Sequence, residues 1–185
     1  MGRSSYTAFQ EILPDGATIT VYPDQCAPNP RKEFSQLGRM FCWHRRYDLG
    51  DEHSFRDPDA FEAEFATIPH LRLPLYLYDH SGITMSTTPF SCRWDSGQVG
   101  WIVVTHNRLR DEYARKRMSK GLLARAAEVL RSEVAEYDQY LQGDVWVLEH
   151  LDPDDKVIDA LGGIFGEDYA IQEAKEWLAN AQAVA

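Results

Sequence analysis

The sequence predicts an α+β domain, a mainly antiparallel sheet with helices packed on one face. Three observations carry this expectation. Apolar residues alternate with period two over 73–87, and a β-branched run follows at 99–106. The period then lengthens to three and four between Ser119 and Leu141. One more strand-like run, 143–152, precedes a closing helical stretch.

In chain order, "ATITVYP" (17–23) alternates in part, ends at Pro23 and reads as a strand. "DQCAPNPRKEF" reads as a proline-rich loop, and "RMFCWH" (39–44) as a short buried strand. In "RDPDAFEAEFATI", Asp57 can cap a helix and Pro58 suits its first position, while Phe61, Phe65 and Ile68 make one stripe. "LPLYLYDHSGITMST" reads as a hairpin turning at "HSG", where Gly82 can take positive φ. "VGWIVVTH" is the next strand, and "RLRDEYARKRM" is read as helical. The main helix runs from a Ser119 cap to a stop at Gly143, with Leu123, Ala126, Leu130, Val134, Tyr137 and Leu141 on one face. "LGGIFG" (161–166) reads as a glycine-rich turn before the helix "EDYAIQEAKEWLANA", whose acidic start suits the helix dipole.

The 185 residues suit a single domain, 1–185. No apolar run approaches the roughly 20 residues that span a bilayer. "MGRSSYTAFQEILPDG" lacks the apolar segment of a secretory signal, so a cytoplasmic protein without membrane contact is expected. Three cysteines with no CxxC pair argue for packing roles rather than disulfides or a zinc site. The net charge of −10 is uneven. Residues 1–105 carry nine Lys/Arg and 13 Asp/Glu; 106–126 carry seven and two; 127–185 carry three and 14. Such a balance argues against direct nucleic-acid binding, while the basic run leaves room for phosphate contact.

Four stretches stand out together: "NPRKEFSQLGRMFCWHRRYDLGDEH" (29–53), "PLYLYDHSGITMSTTPFSCRWDSGQVG" (74–100), "EVAEYDQYLQGDVW" (133–146) and "GGIFGEDYAIQEAKE" (162–176). They resemble an uncharacterised family of proteins encoded by bacteriophages, prophages and plasmids. The resemblance implies a setting, bacterial mobile elements, and no particular chemistry. Small accessory proteins in that setting often act on host defence or host enzymes.

Three groups of residues are candidate sites. The first holds Asp79, His80, Ser81, Cys92, Asp95 and Ser96. A relay across the two turns would use Ser96 or Cys92 as nucleophile, His80 as base and Asp95 or Asp79 as its orienter. Asx and Ser turns explain the same residues structurally. The two turns are expected to lie together, because only about a dozen residues link their strands. The second group, in "HRRYDLGDEH", offers His44, Asp48, Asp51, Glu52 and His53, but at no recognised metal spacing, so neither metal nor cofactor is expected. The third is the acidic set Asp152, Asp154, Asp155, Asp159, Glu167 and Asp168, an array that could mimic nucleic acid toward a basic cleft. "LGGIFG" has neither phosphate-loop spacing nor a GK[ST] ending. The expected function is a non-enzymatic accessory protein that uses the acidic set to bind a host protein or nucleoprotein complex. Its sharpest form inhibits a CRISPR- or restriction-type defence system. The alternative is a small hydrolase or nucleotide-processing enzyme built on 79–98.

Overall fold

The structure, a computed structural model, describes residues 6–184. The first five residues of the amino-terminal stretch read for a leader lie outside it. The class is α+β: among the described residues there are five helices and eight strands, and every strand pairing is antiparallel. The strands form two four-stranded sheets. The chain packs as two compact units, one from both ends (up to Pro28 and from Gln142) and one from Asn29 to Leu141.

The end-built unit contains β1 (Phe9–Ile12), β2 (Thr18–Pro23), β7 (Val145–Leu151), β8 (Val157–Phe165) and α5 (Glu167–Val184), with strand order β1-β2-β7-β8. Ile19 and Val21 of β2, Trp146 and Leu148 of β7 and Ile164 of β8 form one core with Ala170 and Ala174 of α5. The small side chains let the helix approach the sheet closely. "LGGIFG" is not a turn. It lies almost wholly within β8, where Trp146 pairs with Ile164 but Leu148 pairs with Leu161. The extra residue is a bulge, and Gly163 takes φ +68 there, a conformation that costs glycine nothing. Asp24 fixes the bulge by accepting from the Gly163 N–H at 3.0 Å.

The central unit contains α1 (Pro30–Glu33), β3 (Arg39–Cys42), α2 (Pro58–Phe65), β4 (His70–Asp79), β5 (Ile83–Ser86), β6 (Ser96–Thr105), α3 (His106–Tyr113) and α4 (Lys120–Gln142). Its strand order is β3-β6-β4-β5. Pro74 is tolerated in β4 because β5 pairs only from Tyr76 onward, leaving Pro74 on an open edge. The periodic face of α4, with Ala126, Leu130, Val134 and Tyr137, buries against Leu75, Leu77, Met85, Ile102 and Val104. Fully burying a Leu, Ile, Val or Met side chain in this way contributes about 1.5–3 kcal/mol. Ser119 caps this helix by accepting from Leu122 N–H, and Gly143 follows it at φ +74. Phe41 and Val103 pack with Phe61 of α2 in a separate cluster, joined by Trp43, Phe55, Phe65 and Trp101. Asp57 caps α2 as expected, accepting from Ala60 N–H at 2.9 Å.

A buried ion cluster ties the segments of this unit together. The Arg31 side chain is 1% exposed. It meets Asp51 at 2.5 Å and Glu133 of α4 at 3.4 Å, and donates to the Gly38 carbonyl at 2.6 Å. Glu133 also accepts from the N–H groups of Leu37 and Gly38, and Asp51 from that of Met40. Burial raises the Glu133 carboxyl above its ordinary range, against the opposing pull of the Leu37 and Gly38 amides and Arg31.

Candidate functional site

The β4–β5 turn and the loop before β6 meet at one end of the central sheet. Tyr78 pairs with Ser96, and the Asp79 N–H donates to the Asp95 carbonyl at 2.8 Å. This is the juxtaposition the short linker implies, and it gathers Asp79, His80, Cys92, Asp95 and Ser96. Ser81 stands apart at the tip, exposed and in the left-handed region at φ 57. A third segment, which sequence spacing gives no means of adding, completes the cluster. Arg46 pairs with Asp79, and the Tyr47 hydroxyl donates to the other Asp79 oxygen at 3.2 Å. The Arg46 guanidinium also lies over the Tyr47 ring, while His44 stacks on that ring at 5.0 Å.

The order of groups decides what this cluster can do. A nucleophilic relay needs the imidazole between carboxylate and nucleophile. Here the Asp95 carboxylate is in the middle: it faces His80 Nδ1 at 3.3 Å and accepts from Cys92 Sγ at 3.7 Å. The Ser96 hydroxyl donates to the Cys92 carbonyl and so closes its own loop. The His80 ring stacks on Tyr78 and is mostly exposed. The arrangement brings five candidates together as loop-fixing contacts, in an order that differs from a proton relay.

What the loop fixes in place is Trp94. It lies between Cys92 and Ser96, whose hydrogen bond spans it, and beside Asp95, whose carbonyl is held by β4. Trp94 is 96% exposed, the most exposed large apolar side chain among the described residues. Its chain neighbour Asp95 pairs with His80, and Asp79, whose N–H donates to the Asp95 carbonyl, pairs with Arg46.

The candidate ligands of "HRRYDLGDEH" do not converge: His44 and Asp48 line one surface cavity with Tyr47, whereas Asp51, Glu52 and His53 are not among its lining residues. Asp51 belongs to the buried Arg31 cluster, and the Glu52 carbonyl accepts from Arg39. His53 packs between Phe41, Trp43 and Phe55, with Nε2 on the Cys42 carbonyl at 3.0 Å. Among the described residues no group of three or more His, Cys, Asp or Glu side chains is arranged to hold a metal ion.

The acidic set is likewise divided. Asp152 is occupied in the β7–β8 turn, accepting from the N–H groups of Asp154 and Lys156, and Asp155 sits there at φ 61. Asp154 and Asp159 are exposed. Glu167 and Asp168 open α5, beyond the far end of β8, roughly 25 Å away at about 3.3 Å per residue along that strand. The six acids are therefore two patches, and Asp152 is a turn-forming residue.

The chain matches no family model, no curated protein and no solved structure.

Proposed function

We propose that this protein is a non-enzymatic binding protein that engages a macromolecular partner, with Trp94 at the centre of its contact surface. The single observation that carries the reading is a fully exposed tryptophan on a loop pinned at both sides. Keeping a large apolar ring in water is unfavourable, whereas burying it in a partner recovers about 25 cal/mol per Å². Interface hot spots are enriched in Trp, Tyr and Arg and are ringed by polar contacts. Arg46, Tyr47, Asp79, His80 and Asp95, joined to the Trp94 loop through the Asp79–Asp95 contact, supply the polar groups for such contacts. Because the loop is already ordered, little conformational entropy is lost when it docks. The sequence resemblance directs the proposal toward a host protein complex, with inhibition of a nucleic-acid-handling defence system as its sharpest form. The exposed acids Asp154 and Asp159 then steer the encounter with a basic partner surface.

The test is a pull-down from bacterial lysate read by mass spectrometry, followed by binding kinetics with the purified partner. Trp94→Ala should weaken affinity by at least about 2 kcal/mol, close to thirtyfold, mainly through faster dissociation. Asp154→Lys with Asp159→Lys should slow association instead, and less so at high salt. A partner that binds the Trp94→Ala protein as tightly as wild type would refute the proposed contact surface.

A further inference from the structure

We infer that the central unit carries a second site, a basic cavity that binds the polyphosphate group of a small anionic ligand such as a nucleoside polyphosphate. The basic run from 106 to 120 is not one helix. Ala114 takes the left-handed conformation at φ 48 and ends α3, so residues 115–119 form a loop before α4. That break gathers cations that a continuous helix would spread around its circumference. Arg115, Lys116 and Arg117 from the loop and Arg125 from α4 line one cavity of about 810 Å³, together with Tyr113 and Ser119. The volume falls within the roughly 300–1,000 Å³ typical of small-molecule sites.

No acidic side chain lines this cavity. Of the acids on the flanking helices, Glu112 pairs with Arg108 at 3.2 Å and Glu128 with Arg131 at 2.6 Å, while Asp111 is exposed on α3. Among the described residues none of Arg115, Lys116, Arg117 and Arg125 is in an ion pair. Arg125 instead lies over the Tyr113 ring at 5.7 Å, which holds its guanidinium on the wall of the cavity. Four like charges converging on one concavity repel each other, and a multivalent anion relieves that repulsion. Their location is the more unusual in a chain of net charge −10, which repels anions elsewhere. Arginine forks suit phosphate oxygens, and several cations in one cavity suit a chain of phosphates better than a single one.

This inference does not depend on the Trp94 surface, and its test keeps the two apart. Isothermal titration of the full chain would use inorganic tripolyphosphate, ATP and a short single-stranded oligonucleotide, all at one ionic strength. Tripolyphosphate and ATP should bind one per chain. Arg115→Gln with Arg117→Gln should weaken both by at least about tenfold, since a hydrogen bond to a charged group is typically worth that factor. Lys175→Glu alters net charge by the same amount on an exposed part of α5 and should leave binding unchanged, as should Trp94→Ala. Circular dichroism and the urea midpoint verify that each variant is folded. Binding that Lys175→Glu weakens as much as the paired Gln variant would overturn the site in favour of diffuse charge attraction. No heat with tripolyphosphate or ATP would overturn it outright. An oligonucleotide that binds far more tightly than tripolyphosphate would replace the polyphosphate ligand with a nucleic-acid backbone.

Discussion

Replacing Arg31 by Met removes the cation from the buried cluster and leaves two carboxylates behind. The guanidinium makes contacts at 2.5 Å to Asp51, 3.4 Å to Glu133 and 2.6 Å to the Gly38 carbonyl, all from a side chain 1% exposed. Glu133 keeps the Leu37 and Gly38 amides and Asp51 keeps the Met40 amide, but no positive charge remains. Breaking a buried pair from one side typically costs about 3–5 kcal/mol. That is a third or more of the stability of many domains, which is about 5–15 kcal/mol. With a urea dependence near 2 kcal/mol per M, the midpoint of the affected transition should fall by about 1.5–2.5 M at pH 7. The pH dependence adds a second check. The folded Glu133 carboxyl binds its proton more readily than the unfolded one, whose ordinary value is 4.5. Stability linked to this group is therefore full below 4.5 and falls as pH rises through the elevated folded value. Without Arg31 that value rises further, so the deficit of Arg31→Met should shrink in acid and widen at neutral pH. Adding Glu133→Gln should recover part of it. A midpoint within about 0.3 M of wild type would refute the reasoning, because it would mean the triad is not holding the segments together. An equal deficit at pH 5 and pH 7 would show that Glu133 is not the group left uncompensated.

Two further outcomes follow from the central unit. Gly100→Ala should destabilise by about 3 kcal/mol or more, because a Cβ there would lie 1.9 Å from the Phe41 carbonyl oxygen across the β3–β6 pairing. Thermal or urea unfolding checks this, and a loss under about 1 kcal/mol would contradict the close approach. The Cys42 thiol is pushed up to about 12 by burial and the nearby Asp51 charge, with Arg31 opposing. At pH 8 a thiol reagent should modify the exposed Cys26 while sparing Cys42 until urea is added, since the thiolate is the reactive form. The folded value lies above the unfolded one of 9.0, so the stability tied to this group is full below pH 9 and is lost as pH climbs toward 12.

Local sequence determined most of the elements. The α4 stripe from Leu123 to Leu141, the Asp57–Pro58 start of α2 and the alternation flanking "HSG" each report a nearby periodicity or cap, which a short window of residues contains. The same locality explains what went unread. β8 did not look like a strand because its glycines signalled a turn, and only pairing with β7 turns Gly163 into a bulge. The break at Ala114 lies in a run whose residue types all suit a helix. One unit is assembled from both chain ends, up to Pro28 and from Gln142, a pairing that no short window of residues contains. For the candidate site, the short linker between strands was enough to bring Asp79 and Asp95 together. Tertiary structure alone decided that Arg46 and Tyr47 join them, 33 and 32 residues distant in sequence. It also decided that a carboxylate rather than an imidazole occupies the middle, and that Trp94 points into solvent. Those facts depend on which side chains the packed sheet leaves exposed. Burial is a property of the whole fold, and no spacing along the chain encodes it.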